Sequence, residues 1–265
     1  MCIGTAVPVP DELAAAPHHF IQHKSIRESY NVGEFEKEAI AKLDELYTKS
    51  NIAILVGGSG LYVNAVLYGL DTFPPIEVSI RESIQAHYAA QGIEYLQNEL
   101  KRLDPAYYQT LQTENPQTLQ NPQRLMRFVE VCIGTSKPYS SFLQQTNVIR
   151  NFTPILIGLE APREMLYDRI NLRVDQMMEK GLLQEVTALQ DEQDNNALQT
   201  VGYKELFSYF EEKSSLAEAI ELIKQNTRRY AKRQLTWFKR NPSTQWFDYQ
   251  STTSTLLDYI NTLRN

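Results

Sequence analysis

Apolar residues at Phe35, Ala39, Ile40, Leu43, Leu46 and Tyr47 recur at three- and four-residue intervals. That spacing predicts an amphipathic helix over 33–49 with a charged outer face. A nearly continuous apolar run, Ile52 to Val56, follows and reads as a buried parallel strand. The run ends in Gly57-Gly58-Ser59-Gly60, after which Gly60 to Leu70 returns to helical spacing. Upstream, "PDELAAA" predicts a brief helix that Pro17 ends. Helix, strand, glycine turn and helix together are the rhythm of an α/β sheet.

The texture changes after the double proline Pro74-Pro75. Residues 77–112 read as wholly helical, and 113–123, with Asn-Pro twice, as a turn-rich join. A helix is predicted from Pro122 to a stop at Gly134, because proline is favoured in the first helical turn. A second buried strand is expected at Ile155 to Leu159, followed by a helix from near Pro162 and helix-rich chain up to Lys239. The reading is therefore an α/β core (1–75 and 122–265) interrupted by a helical insertion (76–121). Only two strands are convincing, whereas an open parallel sheet usually has more.

Composition changes this picture little: 42% hydrophobic and 22% charged residues are ordinary for a globular chain. No run approaches the roughly 20 apolar residues of a membrane span. Two cysteines, Cys2 and Cys132, exclude a disulfide framework and fit a reducing cytoplasm. Charge alters the picture more. The chain carries a net −6, yet "KQNTRRYAKRQLTWFKR" (224–240) holds seven Lys and Arg residues and no acid. An acidic chain with one such segment points to a dedicated anion site.

Four groups are candidates for chemistry. The glycine turn places Ser59 and nearby backbone N–H groups where ligands bind in open α/β folds; equally, Ser59 is a helix N-cap. It matches neither G-x-G-x-x-G nor the nucleotide-binding P-loop. Arg169 and Arg173 share a helix face and suit a diphosphate, because guanidinium forks match phosphate oxygens; a hydrated face balanced by Asp168 and Asp175 explains them as well. The basic segment interleaves Tyr230 and Trp237, as an RNA backbone with unstacked bases would require, or is simply a hydrated amphipathic helix. His18, His19 and His23 are discarded as metal ligands, because adjacent side chains in a strand point to opposite faces.

Several stretches, in order, resemble the tRNA dimethylallyltransferase (tRNA isopentenyltransferase) family. "MCIGTA" and "APHHFI" are similar to its M-x-I-G-T-A-K-P and P-H-H segments. "LVGGSGLYVNAVLYGL" resembles V-G-G-T-G-L-Y, and "NPQRLMRFVEV" resembles D-x-x-R-x-x-R-A-L-E-V. "LQTVGYKEL" and "TRRYAKRQLTWFKR" resemble I-G-Y-K-E and T-R-x-Y-A-K-R-Q-x-T-W-F-R, so the likeness spans about residues 1–247.

The resemblance implies transfer of a dimethylallyl group from its diphosphate to N6 of the adenosine 3′ of the anticodon, in tRNAs reading codons that begin with U. It implies a P-loop-kinase-like core, an insertion gripping the anticodon stem-loop, and a target base flipped out of its stack. Mg²⁺ accompanies the diphosphate, and the enzyme is a cytoplasmic monomer without a membrane. By motif, Ser59 lies near the target adenosine, and Arg173 with Arg169 holds the diphosphate. Arg81, Gln123, Arg124, Arg127, Thr200, Val201, Gly202, Tyr203, Lys204, Arg229, Lys232 and Arg233 fall at tRNA-contacting positions.

Two departures stand out. Val7 replaces a lysine of the family pattern. The family's P-loop, first strand and general-base aspartate precede the methionine that is here Met1. The expectation is thus a chain shortened at its N-terminus, with a catalytically inactive tRNA-binding remnant as the alternative.

Overall fold

The computed structural model describes residues 1–143 and 148–264. The helices are α1 (Pro10–Ala15), α2 (Val32–Tyr47), α3 (Gly60–Tyr68), α4 (Val78–Gln91), α5 (Ile93–Leu103), α6 (Pro105–Glu114) and α7 (Pro122–Thr135). Strand β1 (Ile157–Glu160) follows, then α8 (Arg163–Glu179), α9 (Leu182–Thr187), α10 (Tyr203–Phe210), α11 (Leu216–Phe238), β2 (Gln245–Asp248) and α12 (Thr253–Arg264). The fold is mixed α/β, rich in helix with a small parallel sheet. The chain forms two compact units, 1–66 with 152–265 and 67–151.

In the first unit, β1 and β2 pair in parallel with Ile157 opposite Gln245 and Glu160 opposite Asp248. Gly158 faces Trp246, whose ring would lie 2.6 Å from any Cβ there, so the indole packs on bare backbone. The core gathers Val174 from α8, Leu182 and Val186 from α9, Tyr203, Leu206 and Phe207 from α10, and Ala219 and Ile223 from α11. Burial of apolar side chains of this size contributes about 1.5–3 kcal/mol each, which is what holds these helices together. Local sequence sets their starts. Asn31 accepts the N–H groups of Gly33 and Glu34 while Glu34 accepts that of Asn31, closing a capping box on α2. Ser215 and Glu218 do the same for α11.

The expected strand at 52–56 is not one. No ladder includes it among the described residues, and Ile54 and Val56 are 89% and 88% exposed. Its sequence suits a strand, but a strand exists only by pairing, and no described segment pairs with it. The second expected strand exists, shifted to Ile157–Glu160. Its partner β2, Gln245–Asp248, is not among the expected strands.

The second unit is helical, built on Ile84, Leu96, Leu100, Leu111, Leu119, Leu125, Phe128 and Val129. The predicted helix over 77–112 is three helices. Gly92, at φ +72°, breaks the first from the second, and Asp104 before Pro105 breaks the second from the third. Asp104, 1% exposed, accepts from Tyr107 N–H at 3.1 Å and Ser140 N–H at 2.8 Å, fastening the end of the unit to its third helix. Helix α7 corrects the expected insertion boundary of 121. Leu125, Phe128 and Val129 on α7 fill this unit's core, so it belongs here with its neighbours up to 151.

Candidate functional site

In the first unit the glycine turn is pressed by the basic helix. Gln234 on α11 donates from Nε2 to the Gly58 carbonyl at 2.9 Å. A Cβ on Gly58 would sit 2.0 Å from that nitrogen, and one on Gly60 would sit 2.1 Å from Trp237 Cδ1. At Gly60 the Trp237 ring leaves no room for a side chain, whereas at Gly58 the flexible Gln234 amide would have to swing aside and give up its bond to the Gly58 carbonyl. Ser59 is exposed between them, and its carbonyl accepts from Val63 N–H at 3.0 Å, which makes it the residue at the start of α3.

The basic run on α11 divides by neighbour. Lys224 pairs with Asp175 at 2.8 Å, Arg228 donates to Asn171 Oδ1 at 2.5 Å, and Lys239 pairs with Glu160 of β1 at 2.7 Å. These three fasten α11 to α8 and the sheet. Arg229, Lys232, Arg233 and Arg240 are exposed, with Arg233 over the Tyr230 ring. Four cations therefore face solvent. Arg169 and Arg173 are both exposed on α8. The guanidinium of Arg169 lies 5.2 Å from the Tyr249 ring centre, and Arg173 makes no hydrogen bond or ion pair among the described residues. Asp175 is taken by Lys224, so it does not balance Arg173. Among the described residues no hydrogen bond or ion pair joins Ser59 to either arginine. The element touching both neighbourhoods is α11, through Gln234 and Trp237 on one side and Arg228 on the other.

Thr200 to Lys204 divides likewise. Thr200 and Lys204 are exposed, and Val201 is half-buried. Gly202, at φ +99°, is buried and donates its N–H to Glu205 at 2.8 Å. Glu205 also accepts from Asn226 Nδ2 at 2.7 Å, and Asn226 Oδ1 accepts from Arg229 at 3.2 Å. A hydrogen-bonded relay thus joins this turn to the exposed cations. Tyr203 is the exception to its expected role: it is fully buried in the core, so its side chain offers no surface to RNA. Its hydroxyl donates to Glu185 at 2.6 Å.

Glu185 is the site's main surprise. One carboxylate oxygen accepts from Cys2 and Ile3 N–H at 2.6 and 2.9 Å, and the other from Gly4 N–H at 3.0 Å and from Tyr203. Burial would raise this carboxyl, but the Tyr203 hydroxyl and the three amides outweigh it and hold the group at about 2. Gly4 lies so close to the Tyr203 ring that a Cβ would be 2.5 Å away. The I-G-T segment and the G-Y-K turn, distant in sequence, are thereby one structure.

In the second unit, Gln123 and Arg124 are exposed at the start of α7, where Asn121 caps the helix by accepting from Arg124 N–H at 3.2 Å. Arg124 also donates to Thr118 at 3.2 Å. Arg127 and Arg81 approach Glu130 at 3.3 and 3.8 Å. Gln123 borders an open cleft of about 660 Å³ with Tyr88, Gln117, Gln120, Asn121, Pro122 and Met126.

The sequence profile of the IPP transferase family matches residues 1–241. The chain is 62% identical over 262 residues to a tRNA dimethylallyltransferase of Flavobacterium psychrophilum, covering 99% of this chain and 85% of that protein. The chain belongs to the IPP transferase family. A second relative, the tRNA dimethylallyltransferase of Flavobacterium johnsoniae, is 60% identical over 98% of this chain and 84% of its own length. Among solved structures, the full-length tRNA isopentenylpyrophosphate transferase of Bacillus halodurans aligns with a TM-score of 0.66 and 34% identity, over 98% of this chain and 81% of that one. A eukaryotic dimethylallyltransferase acting on tRNA aligns at a TM-score of 0.77 and 22% identity, over 98% and 69% of the two chains, a likeness of fold. The α/β architecture is thus that of the family, and no helix among the described residues is long and apolar enough to cross a membrane.

Membership brings the expectation of Mg²⁺. Among the described residues no three His, Cys, Asp or Glu side chains converge as a metal-ligand group. These residues do not fit a protein cage for the ion, and no catalytic step is assigned to it on this chain. Sequence reasoning missed Glu185, Glu205 with Asn226, and Gln234. Only Glu205 had a local signal, the Gly202-to-Glu205 spacing of a helix start.

Proposed function

We propose that this chain transfers a dimethylallyl group from dimethylallyl diphosphate to N6 of the adenosine 3′ of the anticodon, in tRNAs reading codons that begin with U. The observation that carries the reading is 62% identity, over 99% of the chain, to a relative named for tRNA dimethylallyl transfer. The same observation favours the transferase over a catalytically inactive tRNA-binding remnant.

In chemical terms, N6 attacks the allylic carbon, the carbon–oxygen bond to diphosphate breaks, and N6 releases one proton. The leaving group gathers negative charge, so cations aimed at it lower the barrier. Arg173 and Arg169 supply that charge from α8, with Arg173 uncommitted to other residues. The Ser59 hydroxyl, held on a turn that α11 makes rigid, orients the adenosine. Lys204, Thr200, Arg229, Lys232 and Arg233 carry the RNA backbone on the first unit, and Arg81, Gln123, Arg124 and Arg127 carry it on the second. The enzyme acts as a cytoplasmic monomer.

The test is incubation of the chain with dimethylallyl diphosphate and an anticodon stem-loop bearing adenosine at that position, followed by mass spectrometry of the nucleosides. A dimethylallyl adduct on N6 of that adenosine is expected. RNA binding with no adduct would establish the inactive alternative instead.

A further inference from the structure

Glu130 is a buried carboxylate on α7, the helix whose Leu125, Phe128 and Val129 fill the second unit's core. Its side chain is only 9% exposed, on α7, between two arginines of the second unit. Arg127 lies one turn earlier on the same helix with its nearest nitrogen at 3.3 Å, and Arg81 comes from α4 at 3.8 Å. Neither pair is hydrogen-bonded among the described residues, so the carboxylate attracts both guanidiniums without using up their N–H groups. Arg127 is further fixed over the Phe73 ring, 5.2 Å from its centre. The arginine side chains remain 59% and 41% exposed, so their free donors face solvent. One buried negative charge thus holds two partly exposed positive ones side by side, with a net positive face outward.

A carboxylate is an odd thing to keep beneath an anion-binding surface, since it repels phosphate. Its burial is also costly unless both partners repay it. A cluster serving stability alone would direct the guanidinium hydrogen bonds inward onto the acid, which is not what is seen. We propose that Glu130 is a positioning residue for RNA: it sets the Arg81 and Arg127 guanidiniums side by side so that together they meet the phosphate backbone. This rests on the reading of Arg81 and Arg127 as RNA contacts.

Charge and positioning predict opposite signs, which makes the test decisive. Removing a negative charge near phosphates tightens binding if only charge matters. Loss of positioning weakens it. Fluorescence anisotropy with a labelled anticodon stem-loop is to be read on the whole chain over a salt series for Glu130→Gln, Glu130→Asp, Arg127→Ala, Arg81→Ala and the Glu130→Gln/Arg127→Ala double variant. Glu130→Gln is expected to weaken binding about tenfold, the size of coupling between neighbouring groups. The double variant should bind no worse than Arg127→Ala, because the two share one function. The KM for RNA should rise more than kcat falls. Parental or tighter binding by Glu130→Gln, with both arginine variants weakened, overturns the proposal while leaving the RNA reading intact. Parental binding by both arginine variants overturns the RNA reading of this face and the proposal with it. If Glu130→Gln loses helical circular dichroism, Glu130→Asp decides: weaker binding supports the proposal and parental binding overturns it.

Discussion

Replacing Glu185 by Gln isolates the link between the two ends of the first unit. The shape is kept, but one carboxylate oxygen becomes an NH₂ donor. Four donors converge on this group: the N–H groups of Cys2, Ile3 and Gly4, and the Tyr203 hydroxyl. They divide two to each oxygen, so either orientation of the amide leaves two donors facing a third. A hydrogen bond to an ionised acceptor is worth about 1.5–3 kcal/mol. The Cys2 amide is exposed and recovers water, and the half-buried carboxylate is partly screened, so the two lost bonds amount to about 2–3 kcal/mol. Urea unfolding read by tryptophan fluorescence suits the purpose, because both tryptophans, Trp237 and Trp246, lie in the same unit as Glu185. With an m-value of about 1–3 kcal/mol/M, the midpoint should fall by roughly 0.7–3 M at pH 7. The pH dependence fixes the cause. The folded carboxyl sits at about 2, below its ordinary 4.5, so its contribution is fully present above pH 4.5. That contribution is lost as pH falls from 4.5 toward 2, because the unfolded chain then binds the proton first. The gap between parent and variant should close over that window. A midpoint shift below about 0.3 M at pH 7, or a gap that stays constant down to pH 2.5, would refute the reasoning.

Other consequences are more local. Gly60→Ala puts a methyl where Trp237 lies 2.1 Å away and should cost about 1–3 kcal/mol with a shifted tryptophan emission, whereas Gly57→Ala, with nothing within 4 Å, should be silent. Arg173→Ala should raise the KM for dimethylallyl diphosphate about 10- to 100-fold, as expected for charge-assisted bonds, with RNA affinity measured separately as the comparison. Ser59→Ala should lower kcat/KM by up to about tenfold and Ser59→Thr should restore it, since one neutral hydrogen bond is at stake. Lys232→Ala and Arg233→Ala should each reduce the slope of log K against log salt for RNA binding by about 1. Lys239→Ala should leave that slope alone and loosen the sheet, because Lys239 is spent on Glu160 of β1.

Much of the architecture is legible in the chain because it is written in local chemistry. The helices at 33–49 and 122–134 follow from periodicity and from Pro122 and Gly134, and each falls within one or two residues of its expected bounds. Gly92 and Pro105 are visible punctuation, although reading 77–112 as one helix passes over them. The motif residues Ser59, Arg169, Arg173 and the cations of α11 are likewise identifiable from order and type alone. Pairing and burial are different in kind. The sequence of 52–56 is as strand-like as any in the chain, yet a strand is a relation between two segments, and none described pairs with it. Tyr203 sits in a surface-like motif beside the exposed Lys204, but only packing reveals that its ring is enclosed and its hydroxyl engaged with Glu185. Which cations of α11 remain free for a ligand depends on Asp175, Asn171 and Glu160, all far away in sequence. The sequence by itself therefore determined the family, the helices and the inventory of charged groups, because these follow from residue type and short-range spacing. The tertiary structure alone decided which of those groups are spent on one another and which remain to meet an anion, because electrostatic partnership depends on distance in space, not along the chain.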